Sequence, residues 1–118
     1  MSKDPLRLGD YLGHILQAIA RIQSYCSGLD EAAFLSNTLV QDAVVRNFEI
    51  IGEASKNIAR SAPEFVAAHP DLPLAFAYDM RNLLAHSYHQ VDVGVVWRTI
   101  EADLPYLRSQ IGEALRTL

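Results

Sequence analysis

The chain has one cysteine, no long apolar run and a shortage of positive charge. Half of its 118 residues are hydrophobic, yet they occur in runs of a few, too short to span a bilayer. The opening Met-Ser-Lys-Asp-Pro leads into an amphipathic pattern and lacks the apolar block of a secretory signal. Cys26 has no second cysteine to pair with, which fits a reducing cytoplasm as the expected location. With no reactive-thiol motif around it, Cys26 reads as a packing residue on the first helix. Lys and Arg total 10 against 14 Asp and Glu, a net charge of −4. That balance argues against a broad nucleic-acid footprint but leaves room for a small basic site. No internal repeat, low-complexity tract or period-two strand pattern is visible. The length fits a single domain over 1–118, with a core that needs no metal or disulfide.

What the sequence does have is helical periodicity. Pro5 suits a first helical turn, with Asp4 as N-cap. Leu8, Tyr11, Leu12, Ile15, Ile19 and Ile22 then form one apolar stripe, ended by Gly28. Asp30 to Phe34 fits a short helical turn. A long helix is expected from Asn37 or Thr38, with Thr38 and Gln41 as a capping box. Its apolar stripe is Val40, Val44, Ile51, Ala54 and Ile58. A charged stripe, Asp42, Arg46, Glu49, Glu53 and Lys56, runs along another face. That stripe reads either as a solvated face of helical ion pairs or as a polar lining that reaches a functional site. Pro63 ends the helix after Ala62, since the residue before proline avoids helical dihedrals.

Pro63 to Ala68 fits one or two turns, and 69–73 a connector. A further helix is expected from Leu74 through His86. Asp92 is placed to cap the last helix, whose stripe runs through Val93, Val96, Trp97, Ile100 and Leu104. Pro105 should kink or split it after Asp103. Leu107, Ile111, Leu115 and Leu118 continue the stripe. The fold class is therefore all-α, an antiparallel bundle of four to five helices with short connections.

The richest stretch chemically is Met80-Arg81-Asn82-Leu83-Leu84-Ala85-His86-Ser87-Tyr88. A guanidinium can hold a phosphate through two parallel hydrogen bonds. An imidazole can move a proton near neutral pH. Phosphodiester cleavage needs both. Asn82 and His86 are four apart and share a helical face. Arg81 and His86 are five apart, about 140° around a helix, so they do not stack. Either the Arg side chain bends across or a second copy of the helix completes the site, which predicts a two-fold homodimer. His86 and His89 could begin a metal site, but His14 and His69 lie in distant segments, so no metal and no cofactor is expected.

Arg81, four residues, His86, one residue, Tyr88 resembles the signature of HEPN-domain toxins, specifically the HepT-like toxins paired with minimal nucleotidyltransferase antitoxins. The resemblance extends along the chain. Tyr11 to Leu16, Gln41 to Ala54, then Val91-Asp92, Trp97 and Asp103-Leu104-Pro105 follow the family's order. It implies a HEPN-like bundle, a homodimer with the motif at its interface, and metal-independent endoribonuclease activity on RNA within a type II/VII-like toxin–antitoxin module. It implies that His86 is the acid/base residue, that Arg81 stabilises the scissile phosphate and that Asn82 orients the site. Arg46 and Glu53 would be supporting polar residues. Tyr88 matches the tyrosine to which the cognate nucleotidyltransferase antitoxin transfers AMP. The alternative is a non-catalytic nucleotide- or partner-binding subunit of a nucleotidyltransferase complex. Neither reading involves a membrane.

Overall fold

The first apolar stripe becomes α1 (Pro5–Tyr25), on which Leu12, Ile15, Ile19 and Ile22 are fully buried. The computed structural model describes residues 5–72, 74 and 92–118. After α1 the chain turns through Gly28, whose φ of 81° lies in the left-handed region that a side chain disfavours. Cys26 sits just beyond the helix end and is buried.

The short helix α2 (Glu31–Leu35) opens on Asp30, whose carboxylate accepts the Ala33 N–H at 2.9 Å. Its Phe34 is fully buried and packs on Trp97, ring centroids 5.1 Å apart. The long helix α3 (Thr38–Ser61) does not use the expected capping box. Asn37 is its N-cap and accepts the Val40 N–H at 3.0 Å. Thr38 is therefore already inside the helix, and Gln41 donates instead to the Phe34 carbonyl at 2.9 Å, tying α3 to α2. Val44, Ile51 and Ile58 are buried as the periodicity requires, while Val40 is only partly buried at the core's margin.

Ala62-Pro63 breaks the chain where expected, and α4 (Pro63–Ala68) buries Phe65. Leu74 joins the core. The rest of the helix expected through His86 lies outside the described residues.

Asp92 caps α5 (Val93–Ala102), its carboxylate accepting the Gly94 and Val95 N–H groups at 3.0 and 3.2 Å. The split after Asp103 is present, and α6 (Leu104–Arg116) carries Pro105 in its first turn, where no helical hydrogen bond is lost. Leu107 and Ile111 are buried. Leu118 is not. The helix ends at Arg116, and Leu118 is 61% exposed. α1 packs on α3 and α6, α2 on α3 and α5, and α4 on α3. The all-α bundle is thus observed, with six helices among the described residues. Each large side chain buried in its core contributes roughly 1.5–3 kcal/mol. Among the described residues no helix is long and apolar enough to cross a membrane.

Candidate functional site

Two helices with fixed apolar faces leave their remaining faces to do something else. On α3, the residues three and four positions apart at Arg46, Glu49 and Glu53 fall on one side. On α1, Tyr11 and His14 fall on one side by the same geometry. These side chains face one another across a cleft of about 470 Å³, with Ile50, Ala54 and Asn57 completing its wall.

Each wall is positioned by local chemistry. The Tyr11 hydroxyl accepts a hydrogen bond from Arg7 at 2.7 Å, and the Arg7 guanidinium carbon lies 5.7 Å from the ring centroid. The His14 imidazole stands edge-on to Tyr11, centroids 6.4 Å apart and planes 70° apart. Arg46 and Glu49 form an ion pair at 3.6 Å, with Arg46 70% exposed. An ion pair so open to water contributes little to stability. The charged stripe is therefore in part a solvated face and in part a cleft wall. The cleft offers a cation, carboxylates and ring planes, and Ile50 and Ala54 add apolar surface.

Deeper in α3 lies a second polar feature. Asn47 is buried and donates to the Ala43 carbonyl at 2.9 Å, while its Oδ1 has no hydrogen-bond partner among the described residues. Ser55 and Thr99 are also buried, and both are satisfied by the carbonyl four residues earlier, at 2.8 and 2.9 Å.

Arg46 and Glu53 are brought together in the cleft. Arg81, Asn82, His86 and Tyr88 lie outside the described residues. His14 and Tyr11 were missed as cleft residues. Tyr11 sits at the edge of the α1 stripe, and that edge faces a cleft only because α3 is packed beside it. His69 lies elsewhere, its ring stacked on Phe65 at 4.2 Å and its Nδ1 donating to the Phe65 carbonyl at 2.9 Å. Burial pushes the Cys26 thiol pKa up, which makes it a poor nucleophile.

A family model described as ribonuclease HepT-like matches residues 15–114, most of the chain, including the α3 wall of the cleft but not Tyr11 and His14 of the α1 wall. The chain belongs to the ribonuclease HepT-like family. Among HepT-like relatives, a protein of Thermococcus cleftensis named "Probable ribonuclease HepT" is 41% identical over 91% of this chain and 94% of its own length. A "Putative RNase" of Caldanaerobacter subterraneus subsp. tengcongensis is 35% identical over 90% of this chain and 92% of its own. A Methanocaldococcus jannaschii protein named "Gamma-glutamylcyclotransferase and putative RNase" is 36% identical over 92% of this chain, which spans only 47% of that protein. No solved structure matches the chain. Membership makes this HepT-like chain an enzyme of the ribonuclease type.

Proposed function

We propose that the protein is the toxin of a toxin–antitoxin module, a metal-independent endoribonuclease of a single domain that acts in the cytoplasm as a homodimer. The observation that carries this reading is the family match over residues 15–114, a range that includes the Met80–Tyr88 segment. His86 takes the proton of a ribose 2′-OH. The oxygen attacks the adjacent phosphorus, the 5′ oxygen leaves, and a 2′,3′-cyclic phosphate remains. The partner subunit's His86 gives the leaving oxygen its proton. Each such proton transfer is worth ~10²–10⁴ in rate. Arg81 offsets the charge on the phosphorane, worth about 3 kcal/mol by comparison with other preorganised donors. Asn82 orients the site, with Arg46 and Glu53 in support.

Neutralisation follows from the same segment. The Tyr88 phenol attacks the α-phosphate of ATP on the cognate nucleotidyltransferase, and pyrophosphate leaves. The attached AMP is a bulky anion two residues from His86, and it repels an incoming RNA phosphate.

The test is RNA cleavage by purified protein in EDTA. His86→Ala should lower the rate at least 100-fold, in line with the loss of one general acid–base group. Arg81→Lys should recover little activity because a point charge lacks the guanidinium fork. Activity that requires Mg²⁺, or that survives His86→Ala, overturns the mechanism. Light scattering should give a mass near twice 13.1 kDa. The net charge of −4 favours the second reading, a non-catalytic subunit that holds a nucleotide for a nucleotidyltransferase. That reading predicts nucleotide binding without RNA cleavage under any condition.

A further inference from the structure

We infer that the α1–α3 cleft is a nucleobase pocket that prefers guanine, lined by Tyr11, His14, Arg46 and Glu49. The inference rests on the ribonuclease reading, because it gives the substrate strand a second point of contact. Three observations carry it. First, the cleft holds about 470 Å³, within the range of small-molecule pockets and too small for a duplex. Second, it presents the flat groups on which unpaired RNA bases stack. The Tyr11 and His14 rings stand 6.4 Å apart on one wall, and the Arg46 guanidinium lies on the other. Third, its charge is mixed. A site for phosphate alone would gather cations, whereas here the carboxylate of Glu49 sits 3.6 Å from Arg46.

A carboxylate beside stacking planes selects for base edges that donate. Guanine presents two adjacent N–H donors on its Watson–Crick edge, from N1 and the exocyclic N2, and a carboxylate accepts both in parallel. Adenine and cytosine offer one exocyclic amine. Uracil offers a single N–H flanked by two carbonyl oxygens, which a carboxylate repels. The Arg46–Glu49 pair is open to water and readily exchanged. When it opens, Glu49 takes the guanine edge and Arg46 becomes available to the nucleotide's phosphate.

The experiment is an NMR titration of the full chain carrying His86→Ala, in EDTA, with guanosine 5′-monophosphate and with uridine 5′-monophosphate. Without turnover, binding is read apart from cleavage. The guanosine nucleotide should bind about tenfold tighter, the discrimination of one good bidentate pair. The largest shifts should fall on Tyr11, His14 and Glu49. Glu49→Gln should bring the two nucleotides within about twofold of each other, since an amide has only one acceptor oxygen. Arg46→Ala should weaken both alike. Equal affinities for the two nucleotides in the starting protein, shifts outside the cleft, or a preference that survives Glu49→Gln would overturn the inference. RNA cleavage by the unmodified chain is scored separately. Cleavage without guanine preference removes the pocket and spares the ribonuclease, and guanine preference without cleavage does the reverse.

Discussion

The helix pair α1 and α3 has two sides of opposite character. On one lie Ile15, Ile19 and Ile22 with Val44, Ile51 and Ile58, sealed in the core. On the other lie Tyr11, His14, Arg46 and Glu49, lining a cleft. Both sides come from the same two stretches of backbone, because a 3.6-residue period gives each helix several faces. The sealed side sets where the helices stand, and the open side inherits that spacing. A change on the sealed side should therefore alter how much folded protein exists. A change on the open side should alter what the folded protein holds.

The sharpest way to break this division is at Phe34. It is fully buried against Trp97, and Phe34→Ala should cost about 3–5 kcal/mol in urea unfolding. The fraction that stays folded should keep its nucleotide preference. A changed preference there would show that core and cleft are not separable. Next in size is the α5 cap. Asp92→Ala frees two N–H groups and should cost about 1 kcal/mol.

Asn47 sharpens the comparison from the other direction. Its Oδ1 is buried without a partner among the described residues, so Asn47→Leu should leave stability unchanged or raise it by up to about 1 kcal/mol. A clear loss of stability would mean that its bond to Ala43 matters more than the orphaned oxygen. The smallest effect concerns Cys26. Burial holds its folded-state pKa above the unfolded value, so the unfolded chain loses the proton first. Stability is unaffected below the ordinary thiol pKa of about 8.5 and falls as pH rises through and beyond it. Cys26→Ser should remove that part of the alkaline loss in a series of urea titrations.

Features written in neighbouring residues were legible in the sequence. The Asp92 cap, the stop at Ala62-Pro63 and the split after Asp103 each follow from one side chain acting on nearby backbone. The Thr38–Gln41 box was misread because Asn37 stands one position earlier and α2 places the Phe34 carbonyl within reach of Gln41. Leu118 fits the stripe by count, but the helix stops before it. At the cleft, the shared face of Arg46 and Glu53 was legible from their spacing on one helix. Tyr11 and His14 were not, since only the packing of α1 on α3 puts them on a shared wall.

The interruption at Asp103 divides allegiance as well as backbone. Beyond their contact with each other, α5 packs on α2 and α6 packs on α1. Arg108 bonds Gln23 near one end of α1, and a Cβ added at Gly9 near the other end would lie 3.7 Å from Leu118. A continuous helix would bind both neighbourhoods into one cooperative unit. Split here, α6 can loosen from α1 while α5 stays clasped to α2. Amide hydrogen exchange should then sort the C-terminal third into two protection classes with the boundary at Asp103. On that expectation each half of the bundle's last strut has its own threshold for opening.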